Sequence, residues 1–240
     1  MSAVGSLGLS TVVPGVAVAS AAYLVRFARW HWTLRLLGHR LQPAFMLRVY
    51  LAGLALTSSP GKLGEAVRSV LLLSRGVRIS ASFAAFLIDR GSDALGVALL
   101  GALAAWAAGR RDAVLEVAFA GLFMITALAA IGLRRGFMDR RLSSLMQLSA
   151  WAGRLTAPLP TWAALWTPLR VVAFSLFAFV AYGIQALVFT FYVHELGGGA
   201  SAAECVGIFA VALLVGAASM VPGGLGATEA ALVYQLHQSG

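Results

Sequence analysis

Long apolar runs dominate the chain, and several of them have the length of a helix that crosses a bilayer. With a rise of about 1.5 Å per residue, roughly 20 residues cross the hydrocarbon core. The clearest runs are 113–133 and 171–193, and two further candidates are 7–25 and 92–109. The pattern predicts an all-α fold, a polytopic bundle of transmembrane helices.

Two other apolar runs are interrupted. Residues 43–58 and 205–221 are apolar, and each leads directly into Pro-Gly sequence. Proline removes a backbone donor and glycine lowers helix propensity, so a Pro-Gly step is a strong helix breaker. We therefore expect broken or re-entrant helices at these two places.

The segment 137–155 is too polar to cross a membrane. Its apolar residues follow helical spacing opposite a polar face, which is typical of an interfacial amphipathic helix. A plain connector is the alternative, and the pattern leaves both open. We expect a single membrane domain over 1–240, with pseudo-repeated halves 1–133 and 171–240 joined by a cytoplasmic interfacial segment 134–170.

The composition excludes a soluble globular domain. Hydrophobic residues make up 60% of the chain and charged residues 11%, with a mean hydropathy of +0.86, whereas soluble domains carry roughly 25% charged residues. The net charge of +9 lies in arginines between apolar runs, where basic residues orient spans and meet anionic headgroups. We expect no nucleic-acid partner, and we expect 26–48 and 134–170 on the cytoplasmic side, with the acidic turn 194–204 outside.

The sequence offers little for metal or disulfide chemistry. Cys205 is the single cysteine, so an internal disulfide cannot form. The four histidines are scattered, without carboxylates or cysteines at ligand spacing. We expect no metal, no cofactor and no catalytic residue; an enzyme is not excluded, but a transporter-like protein is favoured.

A short motif occurs twice, as Pro-Gly-x-Leu-Gly at 60–64 and again at 222–226. Each copy ends an apolar run and precedes a helical pattern. Unwound backbone survives at membrane depth only where protein or a wet cavity surrounds it. Paired interrupted helices are typical of transporters built from repeats, with the binding site between them. The alternative is tight helix packing through small residues.

The first copy has the features of a helix start that binds an anion. Ser59 can cap the helix and Pro60 suits its first turn. Gly61 and Gly64 leave the backbone of that turn uncovered. Exposed amides and the helix dipole together favour a phosphate or another acidic headgroup.

Charged residues surround this first helix start. Lys62 and Arg68 add positive charge for a headgroup. Glu65 lies three residues before Arg68, so the two side chains share a helix face and can pair. Alternatively, Glu65 exchanges a proton during transport, as acids inside membranes often do.

The second copy lacks a neighbouring cation. Thr228 can cap the helix that carries Glu229, and Gly223, Gly224 and Gly226 allow close backbone approach. Glu229 is then either a carboxylate stabilised by the helix dipole or an intramembrane acid that meets an arginine from the other half. Both interpretations stay open.

A third charged group lies before the apolar run that ends near residue 108. Asp89 and Asp93 share a helix face beside Arg90. If the helix begins near residue 80, these charges are buried and functional; if it begins near residue 90, they mark the cytoplasmic edge. The apolar run 83–88 favours the buried case.

Four motifs follow one another in order: Arg29-Trp30; Ser59 to Glu65 with Arg68; Asp89-Arg90 with Asp93; and Val221 to Gly226 with Glu229. This ordered set resembles the lysylphosphatidylglycerol synthase transmembrane-region family, flippase-like membrane proteins of bacteria and archaea. The resemblance covers nearly the whole chain. It implies a multi-pass protein of the bacterial cytoplasmic (inner) membrane that moves a lipid or a lipid-linked headgroup between leaflets.

The resemblance also implies a lipid-binding region. Its residues are Ser59, Pro60, Gly61, Lys62, Gly64, Glu65, Arg68, Asp89, Arg90, Asp93, Pro222, Gly223, Gly224, Gly226, Thr228 and Glu229. Two departures stand out: the family often has glutamate at the position of Asp89, and relatives usually continue through further spans beyond Gly240. We expect the chain to lack those C-terminal spans.

The leading functional hypothesis is a flippase-like protein that moves an anionic phospholipid or a lipid-linked headgroup. The alternative is a membrane subunit of, or an assembly partner for, a lipid-modifying or cell-envelope glycosyl or aminoacyl transferase. The expected partners are a membrane phospholipid or lipid-linked substrate, together with a second copy of the chain or a synthase. The lipid headgroup site is expected where the two interrupted helices meet.

Overall fold

The computed structural model describes residues 8–56, 63–109, 159–219, 221 and 224–239, and within 63–66 it describes the backbone alone. In these ranges the chain is all-helical, which confirms the all-α part of the predicted fold class; a polytopic bundle stays a prediction. The described helices are α1 (Leu9–Leu36), α2 (Pro43–Ala55), α3 (Leu63–Leu73), α4 (Ile79–Ala107), α5 (Leu159–Leu165), α6 (Pro168–Glu195), α7 (Ala202–Ala218) and α8 (Ala227–Ser239). The predicted span 113–133 and the segment 137–155 lie outside the described residues.

Two of the described helices are long and apolar enough to cross a membrane, namely α1 and α6, each of 28 residues. At the helical rise each is about 42 Å long. In contrast, α2 has 13 residues and α7 has 17, although both are apolar. Both end shortly before a Pro-Gly motif, as the interruption in the apolar pattern predicted, and a re-entrant path for either helix stays a prediction.

The helices extend further than the apolar runs predicted. The expected span 7–25 is part of α1, which continues into the range 26–48 as far as Leu36; the cytoplasmic side expected for that range stays a prediction. Likewise, the expected span 92–109 is the second part of α4, which begins at Ile79. Both predicted spans stop at charged residues, because a charge interrupts an apolar run. In the structure these charges are buried in ion pairs, so the helices continue past them.

The described chain divides into two compact units. Unit 1 takes its residues from Met1–Arg26, Asp93–Phe119 and Leu176–Gly240, and unit 2 takes its residues from Phe27–Ser92 and Ala120–Ser175. The boundaries fall inside α1, α4 and α6, so each of these helices contributes residues to both units. The predicted sequence halves and their pseudo-repeat stay predictions.

Unit 2 has a core of aromatic and aliphatic side chains from the end of α1, from α2 and α3, and from the start of α4. Its buried members are Trp30, Leu34, Met46, Val49, Tyr50, Leu72, Val77, Ala81 and Ala85. The chain turns into this core after α3, where Gly76 has a φ of 78° and the Val77 N–H donates to the Leu72 carbonyl at 3.2 Å. Glycine tolerates this left-handed conformation, and the turn satisfies a helix-end carbonyl.

Unit 1 contains a helix start with a complete capping box at α7. The Ser201 hydroxyl accepts from the Glu204 N–H at 3.3 Å, and the Glu204 carboxylate accepts from the Ser201 N–H at 2.8 Å. The two bonds satisfy donors that a helix start otherwise leaves without partners. Further along the chain, α7 and α8 pack against each other, and the Gln235 amide donates to the Ile208 carbonyl at 3.4 Å.

Candidate functional site

The first motif connects two helices of unit 2 that pack against each other, α2 and α3. Four of its predicted site residues, Ser59, Pro60, Gly61 and Lys62, lie outside the described residues. Gly64 and Glu65 belong to the first turn of α3, but their side chains are not described. Both interpretations of Glu65 therefore stay open.

Arg68 is the predicted site residue that the structure places most clearly. Its side chain points into the core of unit 2 and the residue is 4% exposed. The guanidinium lies 4.4 Å from the ring centroid of Tyr50 and 5.6 Å from that of Trp30. Its Nη2 donates to the Tyr50 carbonyl at 3.4 Å. Ring faces carry negative potential, so they partly replace the water that a buried cation loses.

A glycine provides the space that Arg68 occupies. A Cβ atom added at Gly53 would lie 2.7 Å from Cγ and 2.8 Å from Cδ of Arg68, and closer still to Nε. Carbon atoms without a bond between them rest at about 3.5–4.0 Å. Any side chain larger than hydrogen at Gly53 would therefore displace the arginine.

Asp89 is buried in an ion pair with Arg29. The Arg29 Nε donates to Asp89 Oδ1 at 3.1 Å, and the two side chains are 1% and 5% exposed. The Asp89 backbone carbonyl accepts from Arg29 Nη2 at 3.5 Å and from the Ser92 hydroxyl at 3.2 Å. The pair joins α1 to α4 within unit 2, and it meets the expectation that this acid is buried in a helix that begins near residue 80.

Asp93 forms the equivalent pair within unit 1. Its Oδ2 accepts from Arg26 Nη2 at 2.8 Å, and the side-chain exposures are 12% for Arg26 and 8% for Asp93. The Arg26 guanidinium also lies 5.2 Å from the ring centroid of Tyr182. Arg90, by contrast, is exposed beside Phe86, so the structure buries the two acids of this predicted group and leaves its cation at the surface.

The second motif leads into α8 in unit 1. Pro222 and Gly223 lie outside the described residues. The Gly226 N–H donates to the Glu229 carboxylate at 2.7 Å, and Glu229 is exposed. This is the position of a helix-start carboxylate, and it supports that interpretation of Glu229.

Thr228 does not cap α8. The helix begins at Ala227, so Thr228 lies inside it, and the prediction of a Thr228 cap is wrong. Its hydroxyl instead packs against glycines: a Cβ added at Gly216 would lie 3.3 Å from Thr228 Cβ and closer to Oγ1, and one added at Gly224 would lie 2.7 Å from Oγ1. The reason is geometric, because a capping side chain must precede the helix, and the residue before Ala227 is Gly226, which has no side chain.

The family model described as lysylphosphatidylglycerol synthase TM region matches residues 1–240, the whole chain. The chain belongs to this family. No curated protein and no solved structure matches the chain.

Membership of the lysylphosphatidylglycerol synthase TM family implies a membrane protein of lipid or cell-envelope metabolism. In a membrane protein, the acyl chains of the bilayer can cover the exposed apolar side chains of the two candidate spans, α1 and α6. Leu9 is 80% exposed and Leu187 is 64% exposed.

The partners of the two buried acids, and the contact between Gly53 and Arg68, were not predicted from the sequence. Arg26 and Arg29 were assigned to a cytoplasmic loop, although they pair with Asp93 and Asp89. A signal was present, because two arginines three residues apart on one helix match two acids four residues apart on another. No signal in the sequence indicated that Gly53 lies against Arg68.

Proposed function

We propose that this protein binds the anionic headgroup of a phospholipid or lipid-linked molecule beside α2 and α3, and moves it between leaflets. The observation that carries the proposal is Arg68, a 4%-exposed cation in the helix pair that contains the first Pro-Gly motif. Family membership supports a lipid or cell-envelope substrate. A cation kept at such a place needs a function, since an apolar side chain would fill the same space at lower cost.

Helix lengths support a membrane-embedded site. The 13 residues of α2 and the 11 residues of α3 make helices about 20 Å and about 17 Å long, shorter than a bilayer core of roughly 30 Å. We infer that the two helices form a re-entrant pair with the motif at its tip. The order long helix, short helix, motif, short helix recurs with α6, α7 and α8, which supports two pseudo-repeated halves.

The headgroup chemistry follows from the start of α3. In the proposal, Gly61 and Gly64 leave backbone amides uncovered for the headgroup next to Ser59 and Pro60, and the helix dipole adds positive potential. Lys62 and Arg68 supply full charges. Arginine offers a planar set of donors that matches two oxygens of a phosphate, so the headgroup replaces the Tyr50 carbonyl as its acceptor.

Movement requires that the site opens to one leaflet and then to the other. The headgroup stays on the helix starts and the arginine, while the acyl chains remain in the bilayer. The protein then works as a multi-pass protein of the bacterial cytoplasmic membrane, without a cofactor.

A leaflet assay in reconstituted vesicles tests the proposal. Fluorescent phosphatidylglycerol is placed in both leaflets, and the fraction that a membrane-impermeant quencher reaches is followed over time. We expect Arg68→Ala and Glu65→Gln to slow lipid movement. Arg75→Ala is the matched control, because Arg75 is an exposed arginine that lies over Phe45 in the same unit. Unchanged movement in both site variants would refute the site.

A second function is favoured by the family description, which names the transmembrane region of a synthase. The chain would then serve as the membrane subunit or assembly partner of a lipid-modifying or cell-envelope transferase, alone or as a homo-oligomer. This alternative predicts that co-purification with a synthase survives replacement of Gly224 and Gly226. Product formation by the complex, with lipid movement absent from vesicles that contain the chain alone, would decide for it.

A further inference from the structure

Both short helix pairs use a glycine to admit a side chain from the following helix. In unit 2, Gly53 of α2 admits Arg68 of α3; in unit 1, Gly216 of α7 admits Thr228 of α8. We propose that Gly53 and Tyr50 are positioning residues, which orient the Arg68 guanidinium to bind an oxyanion with two free oxygens, as in a phosphodiester. This inference rests on the proposed function for its ligand, but its geometric part can be tested separately.

One turn of α2 supplies three contacts to Arg68. The Tyr50 ring lies under the guanidinium at 4.4 Å, the Tyr50 carbonyl accepts from Nη2 at 3.4 Å, and Gly53 leaves the space for Cγ and Cδ. Residues 50 and 53 share one face of the helix because they are three positions apart. The location of the cation is therefore determined by a single turn of α2.

Trp30 of α1 completes the arrangement. Its ring centroid lies 5.6 Å from the guanidinium and 5.6 Å from the Tyr50 ring centroid. Trp30 is 2% exposed and Tyr50 is 2% exposed, so neither ring can move away without opening the core of unit 2. The two rings hold the Arg68 guanidinium in place, and in the proposal the ligand takes over the donor that Arg68 gives to the Tyr50 carbonyl.

This geometry explains why arginine and not lysine suits the position. A guanidinium that rests against ring faces keeps its N–H donors in one plane, which matches two oxygens of a phosphodiester. A lysine ammonium has the same charge without the planar set of donors. In unit 1, Gly216 of α7 makes room for the neutral side chain of Thr228. This second glycine contact involves no charge, so it provides a control for the effect of packing alone.

A double-mutant cycle tests the positioning. Thermal midpoints in detergent are measured for the wild type, Gly53→Ala, Arg68→Ala and the double variant. We expect Gly53→Ala to lower the midpoint in the wild-type background and to leave it unchanged or raised in the Arg68→Ala background, since alanine is the better helix former. An equal loss in both backgrounds overturns the inference, because Gly53 would then act on something other than Arg68.

Binding of dihexanoyl phosphatidylglycerol to the same detergent-solubilised variants, measured by calorimetry, tests the ligand. Both Arg68→Ala and Arg68→Lys should weaken binding by about tenfold or more, the effect of losing one charge-assisted hydrogen bond. Gly53→Ala should weaken it similarly, with no further loss in the double variant. Gly216→Ala should lower the thermal midpoint equally with and without Arg68→Ala, and the exposed Arg75→Ala should leave binding unchanged.

Tyr50 variants keep the test decisive if Gly53→Ala does not fold. Tyr50→Phe retains the ring face and should keep more of the binding than Tyr50→Leu, which should bind weakly. Equal binding by Tyr50→Leu and the wild type overturns the positioning role. Coupling in stability together with unaltered lipid binding in Arg68→Ala instead overturns the proposed function, and it leaves the placement of the arginine by Gly53 intact.

Discussion

Replacing Asp89 by asparagine removes one charge from the ion pair that joins α1 to α4 in unit 2. Arg29 remains, and its side chain is 1% exposed. The arginine keeps its contact of 3.5 Å with the Asp89 backbone carbonyl, and the asparagine oxygen can still accept a neutral hydrogen bond. The variant therefore isolates the charge and leaves the size and shape of the side chain nearly unchanged.

The magnitude follows from the distance and the burial. At 3.1 Å the attraction between the two charges is about 5 kcal/mol for an effective dielectric constant of about 20. Breaking a buried pair by neutralising one partner costs about 3–5 kcal/mol, because the other charge stays buried. The remaining hydrogen bond places Asp89→Asn at the lower end, at about 3 kcal/mol. For a chain of this size that corresponds to a fall in thermal midpoint of roughly 6–12 °C.

Thermal unfolding of the purified protein in detergent, followed by far-UV circular dichroism, measures this loss. Arg90→Gln is the control, because Arg90 is the exposed neighbour of Asp89 in α4, and it should shift stability by less than about 0.5 kcal/mol. The double variant Arg29→Leu with Asp89→Leu should recover much of the stability, since no charge is then left buried. An unchanged midpoint for Asp89→Asn, or a double variant no more stable than the single one, would refute the reasoning.

Two further variants test packing and capping in unit 1. Gly96→Ala should destabilise the protein by about 1–3 kcal/mol, because its Cβ would lie 2.9 Å from the backbone carbon of Ala178. Gly183→Ala is the control, since no neighbouring atom lies within 4 Å of its Cβ. Equal midpoints for the two variants would contradict the close approach of α4 and α6. Ser201→Ala should cost about 1 kcal/mol, since the Glu204 N–H loses its acceptor, and retention of the wild-type midpoint in the same unfolding assay would show that the capping box is dispensable.

The sequence was most informative where the cause of structure is local. A Pro-Gly step interrupts a helix whatever surrounds it, so the ends of α2 and α7 near the two motifs were predictable. The burial of Asp89 and Asp93 could be expected as well, because the apolar run 83–88 continues the same helix toward its start. The Thr228 cap was wrong because the helix begins at Ala227, before Thr228, and a sequence pattern does not fix a helix boundary to within one or two residues.

The all-α class and the apolar helices were determined by the sequence alone. A chain with 60% hydrophobic and 11% charged residues must bury most of its surface against protein or against the lipid of a bilayer. The tertiary structure decided which charges pair and which space Arg68 fills. Arg29 meets Asp89 across 60 positions of the chain, and Gly53 admits Arg68 from a neighbouring helix. Such contacts depend on how helices distant in sequence pack; the matched spacing of the arginines and acids is compatible with the ion pairs, but the pattern of one helix alone does not identify its partner.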